Sequence, residues 1–197
     1  MPATKFISDL HFGHEKVAAI RGFDNTDSHD MAIVRAWERQ VNPEDTVWVL
    51  GDLSAGGRAA ERSALNILST LPGKKRLIAG NHDSVAGIHR QFSPNTGLFR
   101  EVFEHIADFG RIRLNGKVVL LSHYPYLSQG DGPGRGEARY TQFRLPDEGQ
   151  RLIHGHTHHQ HPTDGSVTGR ELCVSWDAWR RLVDLGDIHH WLAETSE

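Results

Sequence analysis

Thr46–Asp52 reads TVWVLGD, and this stretch decides the fold class. A run of β-branched and apolar side chains with no polar alternation is a strand covered on both faces, as in a parallel sheet with helices packed against it. It stops at Gly51-Asp52, so a carboxylate stands where the apolar run ends. Two other stretches repeat the design: Lys5 to Ser8 is a short strand leading to Asp9, His11 and His14, and KRLIAGNHD (75–83) ends in Gly80-Asn81-His82-Asp83.

Helical periods lie between these strands. Met31, Val34, Trp37 and Val41 recur near 3.6 residues and predict a helix over 30–41, capped by Asp27 or Ser28. Ala60, Ala64, Ile67, Leu68 and Leu71 predict a second over 58–71. The later half changes character. RIRLNGKVVLLSH (111–123) is a hairpin whose Asn115-Gly116 suits a type I′ turn, and its second strand ends in His123. A glycine-rich, charged loop over 128–144 leads to RLIHGHTH (151–158), another strand with a polar tip; a strand over 171–175 and a helix over 187–193 follow. Helices between strands first and hairpins later predict a layered α/β fold with two sheets, in one domain spanning 1–197.

Composition narrows the function classes. A formal net charge of −3 lacks the basic footprint of a protein that coats nucleic acid. The lone Cys173, read as a small buried hydrophobe, excludes an internal disulfide and a thiolate zinc cluster and suits a reducing cytoplasm. No apolar run approaches the roughly 18 residues that a membrane span needs. Histidine is the unusual count: 14 of 197 residues, with His154, His156, His158, His159 and His161 close together.

The strand tips collect Asp9, His11, Asp52, Asn81, His82, Asp83, His123, His156 and His158. Sites in open α/β sheets form outside the carboxyl ends of strands, so these distant residues are expected to converge. Carboxylate oxygens, an amide oxygen and imidazole nitrogens suit manganese, iron, zinc, nickel or cobalt rather than calcium. Asp9, His11, Asp52, Asn81, His123, His156 and His158 are more donors than one such ion takes, and fit two ions sharing a carboxylate.

In this order, D-x-H, G-D, G-N-H-D, H and G-H-x-H resemble the calcineurin-like metallophosphoesterase superfamily from Asp9 to His158. The neighbouring DLHFGH, LSHYPY, HGHTH and VSWDAW resemble its short, single-domain bacterial and phage subgroup. The resemblance implies an α/β, four-layer α-β-β-α sandwich with two mixed sheets. It places Asp9, His11, Asp52 and His158 around one ion, and Asp52, Asn81, His123 and His156 around a second, with manganese foremost and Asp52 bridging. His82 would steady phosphoryl oxygens or protonate the leaving alkoxide, and Asp83 would hold the His82 imidazole in its tautomer.

The activity implied is hydrolysis of small phosphate mono- or diesters or nucleotides by a hydroxide held between two ions. Nuclease or nucleotide phosphodiesterase activity is the first rival, and a non-catalytic metal-binding scaffold the second. On the substrate side stand His14, which equally suits local hydrogen bonds at a helix start, and Arg135, Arg139 and Arg144, whose loop suits a solvated surface better. The subgroup often has Asn at position 173 and a smaller residue at 176, so Cys173 and Trp176 leave the role of Asp177 open. The five tryptophans read as core or interface, His154 as packing against or bonding a neighbouring strand, and His159 and His161 as exposed. His29, His89, His105, His189 and His190 read as structural.

Overall fold

A computed structural model describes residues 2–89, 93–128, 130–132, 137–166 and 168–194. Its first sheet contains β1 (Thr4–Ile7), β2 (Thr46–Val49), β3 (Lys74–Ile78), β4 (Phe103–Ala107) and β9 (Val183–Asp184), in the order β4-β3-β2-β1-β9. β1 to β4 pair in parallel, and β9 closes the edge antiparallel to β1. The TVWVL run accounts for the central position of β2. Val47 and Val49 join one apolar cluster with the helices, while Trp48 and Leu50 join another between the sheets.

The second sheet orders β5 (Phe109–Leu114), β6 (Lys117–Ser122), β7 (Arg151–His154) and β8 (Glu171–Cys173) in sequence. β5 and β6 form the expected hairpin, with Asn115 at φ 47° and Gly116 at φ 77°, the positive angles of a type I′ turn. β6, β7 and β8 are parallel, so both sheets are mixed, as the α/β sandwich requires.

The helices are α1 (Glu15–Ile20), α2 (Thr26–Gln40), α3 (Arg58–Thr70), α4 (Thr96–Val102), α5 (Trp176–Trp179) and α6 (Leu185–Glu194). α2, α3 and α4 pack Ile33, Trp37, Leu65, Leu68 and Phe99 over Ile7, Val47, Val49 and Leu77 of the first sheet. α6 adds Ile188, Trp191 and Leu192 to the cluster between the sheets. On the far face of the second sheet, Tyr126 donates its backbone N–H to Glu171, and Thr157 lies against Cys173. Among the described residues no helix is long and apolar enough to cross a membrane.

α2 begins earlier than its period predicts. The Asn25 side chain, rather than Asp27 or Ser28, accepts the capping bond from the Ser28 N–H at 2.8 Å. Its buried stripe runs through His29, Ile33, Ala36 and Trp37, and Met31 is 48% exposed. α3 likewise buries Glu61, which accepts from the backbone and hydroxyl of Ser84 and from Asn95. That buried acid anchors the segment following Asp83 to the helix layer.

The sheets are joined at the end where their parallel strands finish. Ser8 donates to the Val174 carbonyl at 3.0 Å, Trp176 to the Ser8 carbonyl at 3.1 Å, and His156 to the Asp9 carboxylate at 3.0 Å. The tips of β1, β2, β3, β6, β7 and β8 therefore share one crevice.

Candidate metal centre

Backbone geometry marks the crevice first. Asp9, His11, Asp52, His156 and His158 have φ of 57°, 50°, 57°, 69° and 51°, left-handed angles that cost a non-glycine residue about 1–2 kcal/mol each. Such strain persists only where neighbours over-determine it, and it gathers at functional sites. Here the neighbours are backbone bonds between tips: Asp9 N–H to Gly51 C=O, and His11 N–H to Asp52 C=O, both at 3.0 Å. Close packing explains two of the glycines. A Cβ on Gly51 would lie 2.6 Å from His123 Nδ1, and one on Gly155 would lie 2.6 Å from Asp9 Oδ2.

The tips deliver two groups of donors. Asp9, His11 and His158 form one and Asp52, His123 and His156 the other, each with ligand atoms within 4.8 Å of one another. Asp52 Oδ2 stands between the groups, 3.8 Å from His11 Nε2, 3.5 Å from His123 Nε2 and 3.9 Å from His82 Nε2. Asp52 Oδ1 is occupied by the His82 backbone N–H at 2.8 Å.

The bonding of these groups fits a cation. His11 Nδ1 bonds the Ser54 carbonyl at 3.1 Å and His158 Nδ1 the Asp177 carboxylate at 3.0 Å, so both Nδ1 atoms are the protonated donors. Their Nε2 lone pairs are left facing each other at 3.2 Å, beside Asp9 Oδ1 at 3.5 Å from His158. His123 Nδ1 donates to the Leu50 carbonyl at 2.7 Å, and among the described residues neither His123 Nε2 nor the buried Asn81 Oδ1 has a hydrogen-bond partner. Acceptors buried against acceptors are unfavourable unless a proton or metal lies between them.

The same pattern recurs in known proteins. The calcineurin-like phosphoesterase superfamily domain matches residues 5–174. The chain belongs to this superfamily. The gene 66 protein of Mycobacterium phage L5 is 42% identical, covering 96% of this chain and 93% of its own. The gene 66 protein of Mycobacterium phage D29 is 40% identical, covering 98% and 96%. A protein of unknown function from Aquifex aeolicus, AQ665, superposes with a TM-score of 0.70 at 26% identity, over 96% of this chain and 99% of that one.

Within this phosphoesterase crevice several side chains differ from expectation. Asp83 does not touch His82: it accepts the backbone N–H of Asp52, Leu53 and Gly80 at 2.9, 3.0 and 2.8 Å, tying the tip of β2 to that of β3. The His82 tautomer is set by the Ala55 carbonyl, 2.9 Å from Nδ1, and its side chain remains 37% exposed at the mouth. His14 makes no capping bond at the start of α1; its ring lies 5.4 Å from that of His11.

Arg139 and Arg144 both pair with Asp131, a buried acid whose Oδ1 is 2.9 Å from His156 Nε2, so neither guanidinium opens freely onto the crevice. Arg135 lies outside the described residues. His154 bonds its own neighbour's carbonyl, Gly155, at 2.9 Å rather than another strand, while His159 is half-buried and His161 exposed.

Asp131, Arg21 and Tyr124 went unread in the sequence. Tyr124 packs its ring 5.1 Å from His123 and 5.0 Å from His156, and its buried hydroxyl has no hydrogen-bond partner among the described residues. It also lines an apolar slot of about 310 Å³ with Ile88, Phe109, Phe143 and Arg144. The adjacency of Tyr124 to His123 was the available signal; Asp131 and Arg21 have no local one.

Burial and charge then set the protonation states. Burial pushes the Asp52 carboxyl up, but His123, His11 and His82 outweigh it and hold the group well below the usual range. Burial disfavours the charged form of His123, yet Asp52 beside it raises the imidazole to about 9. Burial, with the charge of His123, lowers His156 to about 3, and burial lowers His11 as well. Burial and the charge of Asp52 raise Asp83 to about 7. Neutral His11 and His156 are ready ligands, whereas His123 must release a proton to become one.

Proposed function

We propose that the chain is a cytoplasmic, metal-dependent phosphoesterase acting on small phosphate mono- or diesters. Asp9, His11, Asp52 and His158 would hold one ion, and Asp52, Asn81, His123 and His156 the other, with manganese the first candidate. The observation carrying this reading is the pair of unprotonated Nε2 atoms of His11 and His158 facing each other at 3.2 Å, with Asp52 Oδ2 between that pair and the buried His123 Nε2 and Asn81 Oδ1, which lack partners among the described residues. When bound, paired ions supply Lewis acidity toward phosphoryl oxygens and a nucleophilic hydroxide at neutral pH.

The chain's own residues do the rest. Asp52 is positioned by the His82 backbone and aims its other oxygen at both donor groups. His82, its Nδ1–H committed to Ala55, presents Nε2 at the mouth, where as an imidazolium it can pass the Nε2 proton to a departing alkoxide. The slot beside Tyr124 offers an apolar wall to a ring-bearing leaving group, and its 310 Å³ suits a small ester better than a polymer.

Manganese-loaded protein assayed on p-nitrophenyl phosphate, bis-p-nitrophenyl phosphate, cyclic nucleotides and oligonucleotides tests the reading. Turnover of a small ester that is lost on chelation is expected. Hydrolysis confined to oligonucleotides would transfer the assignment to a nuclease, and no hydrolysis of any substrate would leave a binding scaffold.

A further inference from the structure

The imidazoles of the centre are steadied in two ways. His11 and His123 donate Nδ1–H to the backbone carbonyls of Ser54 and Leu50, groups fixed by the strand tips themselves. His158 instead donates to a carboxylate, Asp177 at the start of α5, as His156 Nε2 does to Asp131. His158 needs such a partner. It stands beyond the end of β7 at a left-handed angle, 15% exposed, and reaches from the second sheet to Asp9 and His11 of the first.

Asp177 is itself held by a buried cation. Arg21 Nε and Nη2 grip its two oxygens at 3.0 and 2.6 Å, and both side chains are almost fully buried. The same guanidinium donates to the carbonyls of Asp9 at 2.7 Å and Leu10 at 3.3 Å, pinning the strained turn that carries Asp9 and His11. Its remaining contact, His29 Nε2 at 2.8 Å, continues through His29 Nδ1 to Asp30 and on to the Gly13 N–H. One rigid fork therefore sets the turn holding Asp9 and His11 and the carboxylate aligning His158. The corresponding supports of His123, the Leu50 carbonyl, and of Asp52, the His82 N–H, do not pass through it.

We propose that Asp177, locked by Arg21, is the positioning residue of His158, and that this pair governs metal occupancy of the Asp9–His11–His158 half of the centre separately from the other half. The inference rests on the two-ion reading given above. A carboxylate behind a ligating imidazole fixes its tautomer and raises its basicity, and losing one commonly weakens metal affinity about 10- to 100-fold. Asn at 177 keeps the shape but not the charge, so the effect should fall on one binding step.

The test is titration of the full chain with Mn²⁺, followed by calorimetry and by electron paramagnetic resonance. The wild type should take up two ions and show the spectrum of a spin-coupled pair. In Asp177→Asn, one step should weaken 10- to 100-fold while the other keeps its affinity, and at intermediate Mn²⁺ the spectrum should be that of isolated ions. General damage to the fold would weaken both steps together. The double variant Arg21→Gln/Asp177→Asn removes the charge pair as a unit, covers the case in which the single variant does not fold, and should show the same selective loss. Two steps of wild-type affinity in either folded variant, or equal weakening of both, would overturn the role of Asp177. A wild type binding fewer than two ions would overturn the two-ion reading instead, and this proposal with it.

Discussion

The two halves of the centre are built from different kinds of support. The Asp52–His123–His156 half is wholly buried, between the tips of β2 and β3 on one side and of β6 and β7 on the other. His123 leans on a backbone carbonyl there, and Asp131 with its two arginines closes over His156. The Asp9–His11–His158 half spans both sheets and is more open, with His158 dependent on the C-terminal Asp177 and the helix-layer Arg21. Strand tips and the loop carrying Asp131 thus organise one half. The other needs side chains brought from remote elements, so distant substitutions should reach it first.

Asp52→Asn should have the largest effect, because Asp52 Oδ2 faces both halves. A loss of kcat/KM of about 10⁴-fold or more on bis-p-nitrophenyl phosphate is expected, at or beyond the upper end of what one proton donor supplies, with weakened binding of both ions. A variant that loses only one ion would show that the halves are less joined than the geometry indicates.

His82→Ala separates chemistry from metal binding. The ring sits at the mouth and leans on Ala55, so both ions should remain while kcat falls about 10²- to 10⁴-fold. Metal analysis beside steady-state kinetics checks this, and intact kcat would remove His82 from the mechanism.

Gly155→Ala tilts the comparison toward one half. The new Cβ would meet Asp9 Oδ2 and Ser8 rather than Asp52, so stability should fall by about 1–3 kcal/mol in urea unfolding, with Mn²⁺ lost first from the half containing Asp9. Equal loss from both halves would count against their independence.

The smallest effect is a pH dependence set away from the ions. Burial, reinforced by the charge of Asp147, raises Glu171 from the usual 4.5 to about 7, and its Oε2 has no hydrogen-bond partner among the described residues. Between those values the folded chain keeps a proton that the unfolded chain has released, so stability falls as pH rises through the window. Glu171→Gln should remove this slope, gaining about 1 kcal/mol at pH 8 relative to pH 5 once solvent screening is allowed for. Unfolding curves at the two pH values decide it.

The contrast also explains what could be read in advance. The tips carrying Asp9, Asp52, Asn81 and His123 were legible because each ends an apolar run, and TVWVL could only be an interior strand. Short elements such as α1, α4, α5 and β9 carry too few residues to establish a period. The Asn25 cap was masked by Asp27 and Ser28 inside the first turn of α2, and Glu61 hid within a helical stripe because its partners, Ser84 and Asn95, lie far along the chain. The family resemblance pairs Asp83 with the His82 imidazole. Tertiary structure turned it instead to three backbone donors across the tips of β2 and β3. Arg21 and Asp177 meet across 156 positions, a separation with no local signature.

Anomalous X-ray scattering at the manganese edge, from crystals of the wild-type chain grown with Mn²⁺, tests the centre most directly. Two peaks are expected, one among Asp9, His11 and His158 and one among Asn81, His123 and His156, with Asp52 touching both. A single peak, or peaks outside this crevice, would contradict a two-ion phosphoesterase.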